Sequence, residues 1–152
     1  MNQKLFNINH IYLNVASTTK KDAFNFIAAS FVENDVSLNF KKCYKGLIHR
    51  EKEGSTGFND GIAIPHAKVK EIIQPGIFVY QFAEPIAWNS IDGSKVKVAI
   101  GLAIPDVSSG VEHIKMLSSV ARKLIDDDFR KNLFNATTKE AILTLVNEIE
   151  II

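Results

Sequence analysis

The residues best suited to chemistry in this 152-residue sequence lie in a short segment that ends on a proline and a histidine. Within segment 61–68, Ile62 and Ile64 alternate with smaller residues and lead to His66. Side chains two positions apart share one face of a strand, so the imidazole is predicted to leave on the face that both isoleucines use. Pro65 lacks an N–H and fixes its own φ, which predicts that the strand ends there.

A histidine held by a stiff backbone at the end of a strand has several uses. It can act as a general base, a metal ligand or a nucleophile, because catalysis depends on groups that are positioned in advance. The alternative is a structural histidine that satisfies one local hydrogen bond. The spacing alone leaves both interpretations of His66 open.

Arg50 is a second candidate because it continues the apolar stripe of a predicted helix. That helix follows Asn39, and its stripe consists of Phe40, Cys43, Tyr44, Leu47 and Ile48. Arg50 comes seven residues after Cys43, so its side chain is predicted to leave the last turn from the core-facing side. A cation there complements the helix dipole and suits an anion at the core edge. The alternative is a surface arginine whose aliphatic stem covers apolar neighbours.

His113 is a third candidate, in the first turn of a helix predicted to follow the capping-box pattern 109–112. Leu117, Val120 and Leu124 follow it at helical spacing, so the imidazole is predicted to share their core-facing side. A helix N-terminus disfavours protonation of a histidine and offers free N–H groups to an anion. The alternative is a capping-region histidine that makes one local hydrogen bond.

The segments around these candidates resemble the signature of a known family, the type-2 enzyme IIA domain. This domain is the fructose/mannitol class of the phosphoenolpyruvate-dependent sugar phosphotransferase system (PTS). The resemblance is carried by Arg50-Glu51, Ser55-Thr56-Gly57 and Gly61-Ile62-Ala63-Ile64-Pro65-His66, and it continues through 88–93 and 113–117 to the C-terminal helix. It implies that His66 accepts a phosphoryl group from the phosphocarrier HPr and gives it to a IIB component for sugar uptake.

The same resemblance assigns roles to the other candidates. It implies that Arg50 stabilises the phosphate and that His113 assists without being phosphorylated itself. Thr56 matches the family's hydroxyl position and is expected to donate a hydrogen bond to the phosphate. The resemblance implies no cofactor and no bound metal. Ala67 follows the histidine where many relatives have glycine, a departure that removes no catalytic group.

A regulatory role is the main alternative to sugar transport. Lone IIA domains of this family include regulatory members similar to the nitrogen-related branch, which act through phosphorylation-dependent protein binding. No IIB or IIC segment is recognised in the sequence. Neither the sugar nor the choice between the two roles is therefore expected to follow from it.

The composition argues against several other partners and locations. The 18 Lys+Arg nearly balance the 17 Asp+Glu, which gives no support to nucleic-acid binding or to an electrostatic membrane anchor. No apolar run reaches the roughly 18 residues of a membrane span, so direct membrane insertion is not expected. The single cysteine, Cys43, cannot form an internal disulfide, and residues 1–4 show no leader pattern, so a cytoplasmic location is expected.

The motifs of other catalytic classes are missing. The four histidines and one cysteine include no His-Glu-x-x-His or Cys-x-x-Cys pattern, so a zinc hydrolase is not expected. The glycine-rich segment 54–57 is not followed by Gly-Lys-Ser/Thr, as a nucleotide P-loop would be, and no Gly-x-Ser-x-Gly elbow is present. The acidic run 126–128 is predicted to be a solvated turn.

The remaining elements must hold the candidates in place. Strands are predicted at 10–15, 62–66, 76–82 and 95–104, and helices after Thr19, Asn39, 109–112 and 137–140. Segment 103–105 repeats the Ala-Ile-Pro of 63–65, and as parallel strands the two would end at one ligand-binding edge. Strands interleaved with amphipathic helices predict an α/β fold, in which residues 1–152 form a single domain with a mixed β-sheet and helices packed on both faces.

Overall fold

The computed structural model describes residues 1–107 and 111–151, with side chains for 1–107 and 114–151. The strands are β1 (Ile11–Val15), β2 (Ile62–Ala63), β3 (His66–Val69), β4 (Gly76–Ile86) and β5 (Val96–Pro105). The helices are α1 (Lys20–Glu33), α2 (Phe40–Glu53), α3 (Val111–Lys123), α4 (Asp127–Asn135) and α5 (Lys139–Asn147). A 3-10 turn at Ile8–His10 precedes β1.

The strands form one mixed sheet in the order β1-β4-β5-β2. Because β3 also pairs with β5, β2 and β3 share the edge position beside it. β1 runs parallel to β4, β4 runs antiparallel to β5, and both β2 and β3 run parallel to β5. The predicted mixed sheet is confirmed, and His66 lies on its edge.

Helices cover both faces of the sheet, as predicted. α1 and α2 pack on one face in a buried cluster that includes Phe24 and Leu47. α3, α4 and α5 contribute to a second buried cluster on the opposite face, which includes Val120 and Val146. Within the described residues, no helix combines the length and the apolar character needed to cross a bilayer.

The alternating side chains of β5 separate the two clusters. Ile100 and Leu102 belong to the cluster beneath α3, α4 and α5, whereas Ala99 and Ala103 belong to the cluster beneath α1 and α2. A Cβ added at Gly101 would lie 3.6 Å from Cγ2 of Ile27 in α1. The small face of this strand thus lets a helix approach closely.

The segment that ends on Pro-His is not the single strand that the alternation predicts. It is interrupted at Ile64 and Pro65, and His66 begins β3 instead of ending a strand. The physical reason is a change of backbone partners. The N–H of Ile64 donates to the carbonyl oxygen of Thr56 at 2.9 Å, and Pro65 has no N–H to donate.

The face on which His66 lies is nevertheless the predicted one. Ala63 pairs with Ala99 and His66 pairs with Leu102, so the register with β5 continues across the interruption. Residues paired across parallel strands share a face, and Leu102 belongs to the same cluster as Ile64.

The parallel orientation of segments 63–65 and 103–105 is confirmed, but their common end is not. Pro105 pairs with Val69. The two prolines therefore do not meet at one edge, because the chain resumes pairing after Pro65 and runs on as β3.

The predicted helix starts are confirmed where the structure describes them. Side-chain oxygens of Thr19, Asn39 and Thr138 accept hydrogen bonds from the backbone N–H groups of Asp22, Lys42 and Ala141 at 3.1, 3.0 and 3.1 Å. These contacts satisfy donors that the first turn leaves free. The capping pattern predicted at 109–112 lies outside the described side chains.

The acidic run 126–128 is not a solvated turn but the start of α4. Oδ1 of Asp126 accepts hydrogen bonds from the N–H groups of Asp128 and Phe129 at 2.9 and 3.3 Å. Carboxylates at a helix N-terminus also interact favourably with its dipole. The run therefore caps a helix whose Phe129 and Leu133 are buried.

Candidate functional site

His66 makes a hydrogen bond at each ring nitrogen. Its Nδ1 lies 2.9 Å from the carbonyl oxygen of Ile64, and its Nε2 lies 3.2 Å from Nε of Arg50. A guanidinium can only donate, so Nε2 accepts, and the hydrogen of the neutral imidazole lies on Nδ1. The carbonyl fixes this tautomer. The electron pair of the ring is therefore on Nε2, where it accepts the Arg50 hydrogen bond, and Nε2 can act as a nucleophile once that bond is released.

The pKa of His66 is lowered from its ordinary value of 6.5. Burial is the largest cause, because it disfavours the charged imidazolium, and the positive charge of Arg50 acts in the same direction. The carbonyl of Ile64 opposes this effect, as do the negative charges of Glu51 and Glu53. The imidazole is therefore neutral at pH 7 and keeps its electron pair on Nε2.

Close packing of α2 on β3 brings Arg50 to His66. A Cβ on Gly46 would lie 2.9 Å from Cγ1 of Val69, so the helix approaches this closely only because the residue is glycine. Arg50 follows one helical turn later, and its Nη1 donates to the carbonyl oxygen of Gly54 at 2.8 Å. Arg50 is half-buried, and its side chain reaches His66 as the predicted core-facing direction requires.

A depression of about 340 Å³ opens beside the imidazole. Arg50, Lys68 and the carboxylate of Glu53 line it with charge, and Ile104 and Leu117 line it with apolar surface. Lys68 lies two residues after His66 and pairs with Ile104, so both side chains leave β3 on the same face. The depression thus combines an accessible nucleophile with cations on its wall.

Other groupings of charged residues are weaker candidates for a functional site than the depression beside His66. A larger depression, of about 530 Å³, is lined by Asp60, Asp127 and Arg130, but the arginine already pairs with both aspartates. Among the described residues, no group of three or more His, Cys, Asp or Glu side chains is placed to hold a metal ion.

The structure leaves the position of the His113 side chain undescribed. The residue belongs to α3, but side chains of this helix are described only from Ile114 onward. Ile114 and Leu117 line the depression beside His66. The first turns of α3 therefore border the site, and the assisting role of His113 stays a prediction.

Two other histidines differ in their surroundings. His10 is buried, its Nδ1 lies 2.9 Å from the carbonyl oxygen of Ile77, and its ring stacks on Phe78 at 4.1 Å. His49 has an 80% exposed side chain and pairs with Glu53 at 3.5 Å.

Thr56 is buried beside the site, but its hydroxyl is already engaged. The hydroxyl donates to Oε1 of Glu51 at 2.5 Å and accepts a hydrogen bond from Nε1 of Trp88 at 3.2 Å. Thr56 is also not among the described residues that line the depression. A hydroxyl has one hydrogen, so the expected bond to a phosphate would require the bond to Glu51 to break. The structure does not bring this hydroxyl to His66.

The sequence did not reveal the role of Glu51 in this region. Its side chain is only 9% exposed and accepts hydrogen bonds from the backbone and hydroxyl of Thr56 and from Nζ of Lys20. The available signal was its position beside Arg50 in the signature. Its partners, however, lie in other elements and are brought together only by the fold.

Known proteins resemble this chain in sequence and in fold. A family model described as "Phosphoenolpyruvate-dependent sugar phosphotransferase system, EIIA 2" matches residues 4–149. The nitrogen regulatory protein of Pseudomonas aeruginosa is 30% identical over 138 residues, which cover 91% of this chain and 89% of that protein. The crystal structure of the nitrogen regulatory protein IIA-Ntr from Neisseria meningitidis is similar with a TM-score of 0.85 and 28% identity, over 92% of this chain and 94% of that one.

Other relatives are longer or more distant. The PTS system fructose-specific EIIABC component of Bacillus subtilis is 29% identical over 139 residues, which cover 91% of this chain but 22% of that protein. The multiphosphoryl transfer protein of Escherichia coli O157:H7 is 31% identical, and the chain covers 17% of its length. This chain thus matches one segment of these longer proteins. The crystal structure of IIA mannitol from Escherichia coli, with a TM-score of 0.78 and 22% identity, shares the fold over 93% of this chain and 98% of that one.

The fold is that of enzyme IIA domains, and the edge histidine lies within the residues that the family model matches. The chain belongs to the type-2 EIIA family of the phosphoenolpyruvate-dependent sugar phosphotransferase system. Domains of this family are phosphotransferases.

Proposed function

We propose that the protein is a phosphocarrier that accepts a phosphoryl group on Nε2 of His66 from phospho-HPr and passes it to a IIB component for sugar uptake. One observation carries this proposal. The tautomer of His66 is fixed by the carbonyl of Ile64, and Nε2, which accepts a hydrogen bond from Arg50, belongs to a histidine that lines a depression together with that arginine. Membership of the EIIA family supports phosphoryl transfer as the reaction of this site.

The transfer step uses the atoms already in place. The Nε–H of Arg50 first leaves Nε2. Nε2 then attacks the phosphorus of the donor, and the bond between that phosphorus and the donor breaks as the Nε2–P bond forms. Nδ1 keeps its hydrogen and its bond to the carbonyl of Ile64, so the phosphorylated ring carries a positive charge that the carbonyl dipole stabilises. Transfer to the next protein reverses the step and restores the neutral imidazole.

The phosphoryl group brings a charge near −2, which an apolar setting alone would not tolerate. The Nε–H of Arg50, which now donates to Nε2, is placed to donate to a phosphoryl oxygen instead. Lys68 adds a second cation on the wall of the depression, and no ion pair of this side chain is found among the described residues. Assistance by His113 is part of the proposal, whereas Thr56 acts indirectly through its bond to Glu51.

A regulatory function is an equally supported second candidate. The relatives from Pseudomonas aeruginosa and Neisseria meningitidis are nitrogen regulatory proteins, and this chain matches most of their length. In Escherichia coli, IIA mannitol forms a complex with phosphorylated IIB mannitol. Both candidate functions use the same phosphorylation of His66 and differ in the protein that receives or senses the phosphoryl group.

The test is phosphorylation of the purified protein by phosphoenolpyruvate, enzyme I and HPr. We expect an acid-labile, base-stable label on the peptide that contains His66 and no label in His66→Ala. His49→Ala is the matched control, because that histidine borders the same depression but is exposed. Labelling of His66→Ala at the normal level would contradict the phosphocarrier proposal.

A second step separates transport from regulation. The phosphorylated protein is mixed with each purified IIB protein encoded in the same genome, and movement of the label is followed. Rapid transfer to one IIB protein supports transport. If the label stays on His66, and phosphorylation instead changes binding to a purified non-transport protein, the regulatory function is supported.

A further inference from the structure

The carboxylate of Glu51 lies at a buried junction beside the site. Its Oε1 accepts a hydrogen bond from the Thr56 hydroxyl at 2.5 Å, and its Oε2 accepts one from the Thr56 backbone N–H at 3.1 Å. Nζ of Lys20 donates to Oε2 at 3.0 Å. Charged hydrogen bonds of this kind are stronger than neutral ones, particularly where water is excluded.

This junction joins three separate parts of the chain. Glu51 belongs to the last turn of α2, and Lys20 opens α1. Trp88, which lies between β4 and β5 and is 1% exposed, donates from Nε1 to the Thr56 hydroxyl at 3.2 Å. The loop after α2 is thus fixed to both the first helix and the sheet.

The same loop supports Arg50. The carbonyl oxygen of Gly54, two residues before Thr56, accepts a hydrogen bond from Nη1 of Arg50 at 2.8 Å. Nε of the same guanidinium donates to Nε2 of His66. A continuous set of contacts therefore runs from Glu51 through the loop 54–56 to Arg50 and His66.

We propose that Glu51 is a positioning residue for phosphoryl transfer: its carboxylate fixes the loop 54–56, whose Gly54 carbonyl holds the Arg50 guanidinium against Nε2 of His66. The consequence for transfer rests on the phosphocarrier function proposed above. The positioning itself concerns only the unphosphorylated protein. A displacement of catalytic groups by about 1 Å can cost on the order of a hundredfold in rate, so a residue outside the depression can control the reaction.

The alternative is that Glu51 merely stabilises the end of α2 and leaves Arg50 in place. The two interpretations predict opposite shifts in the pKa of His66. Among the residues with described side chains, the charged or titratable groups near this imidazole are Arg50, Glu51, Glu53, Lys68 and His49. The influence of Arg50 on the pKa exceeds that of either glutamate.

These influences determine whether the pKa of His66 rises or falls in each variant. Removing the Glu51 charge while Arg50 stays in place lowers the pKa of His66, because a negative neighbour is lost. If Arg50 also moves away, a larger positive influence is lost, and the pKa rises. Glu53 is two residues further along the chain, also raises the pKa of His66, and takes no part in the junction. Glu53→Gln therefore removes a negative charge near His66 and leaves the Glu51–Thr56 junction unchanged.

The experiment is an NMR titration of His66 in the unphosphorylated full chain, for wild type, Glu51→Gln, Glu51→Ala and Glu53→Gln. We expect the pKa of His66 to fall in Glu53→Gln and to rise in both Glu51 variants. The ¹⁵N signature of an Nε2 acceptor should also weaken in the Glu51 variants only. Backbone amide spectra confirm that each variant is folded. If the Glu51 variants do not fold, Thr56→Val, which removes the hydroxyl, is compared with Thr56→Ser, which keeps it.

The proposal would be overturned if the pKa of His66 falls in Glu51→Gln by as much as in Glu53→Gln while the Nδ1–H tautomer stays intact. The titration needs no phosphodonor, so its outcome stands apart from that of the phosphorylation assay. In that assay, Glu51→Gln is expected to accept phosphate on the order of 10- to 100-fold more slowly than Glu53→Gln.

Discussion

Nε of Arg50 lies 3.2 Å from Nε2 of His66, and this contact determines which atom of the histidine can react. The arginine can only donate, and the opposite nitrogen is bound to the carbonyl of Ile64, so the electron pair lies on Nε2. The group that hydrogen-bonds to Nε2 is thus also a cation placed beside a phosphoryl group attached there. Arg50 is thus proposed to donate to Nε2 before transfer and to a phosphoryl oxygen after it.

Replacement of Arg50 should slow transfer far more than it destabilises the fold. Hydrogen bonds to charged groups contribute about 1.5–3 kcal/mol, so Arg50→Ala is expected to reduce the rate about 10- to 100-fold. Lys52→Ala, an exposed neighbour in the same turn, is the control and should transfer normally. Single-turnover labelling with phospho-HPr and thermal unfolding measure the two effects. An unstable Arg50→Ala that transfers at the normal rate would show that the residue acts in packing.

His113 is expected to assist the transfer without carrying the phosphoryl group. His113→Ala should still be labelled on His66, but roughly ten- to a hundredfold more slowly, because a charged or hydrogen-bonding partner of the phosphate is lost. Time-resolved mass spectrometry of the labelled peptides measures both the rate and the position. Label found on His113 in the wild-type protein would reverse the assignment of the two histidines.

Lys68 should contribute through charge. It lines the depression beside His66, whereas Lys70, also exposed, follows the end of β3 and is not among the described lining residues. Because the Lys68 side chain is exposed, Lys68→Met is expected to slow acceptance of the phosphoryl group by only about two- to fivefold, and by less at high salt. Lys70→Met is the matched control. Phosphoramidate as a small donor tests whether Lys68 acts on the phosphoryl group, since a role in docking HPr would vanish with that donor.

The buried His10 should make the fold less stable in acid. Burial lowers the pKa of His10 from 6.5, so below that pH the unfolded chain binds more protons than the folded one. The free energy of unfolding should therefore fall as the pH drops below about 6.5. His10→Gln should show a shallower fall between pH 7.5 and 5, although its stability at pH 7.5 is lower because the stacking on Phe78 is lost. Urea unfolding at both pH values measures this, and an unchanged slope would rule out His10 as the cause.

Much of the fold follows from local patterns. Cap residues such as Thr19 and Asn39 predict helix starts because their hydrogen bonds are made within three residues. The face of His66 follows from the period of two along the strand, which survives the interruption at Pro65. The start of α4 was missed because three consecutive aspartates suit a solvated turn as well as a helix cap.

The candidate site was less predictable because its contacts join distant parts of the chain. The sequence predicts Arg50 and His66 as candidates, but their contact depends on how closely Gly46 allows α2 to approach β3. The resemblance assigns Thr56 to the phosphate, whereas in the structure its hydroxyl donates to Glu51. No local pattern predicts that bond.

The most direct test of the phosphocarrier function is to locate the phosphoryl group at atomic resolution. ¹⁵N-labelled protein is phosphorylated with phosphoenolpyruvate, enzyme I and HPr, and the imidazole nitrogens and phosphorus are observed by NMR. The fixed Nδ1–H tautomer predicts a phosphoryl group on Nε2 of His66, with the Nδ1 hydrogen retained. A phosphoryl group on Nδ1 or on another residue, or no phosphorylation beside an active HPr control, would contradict it.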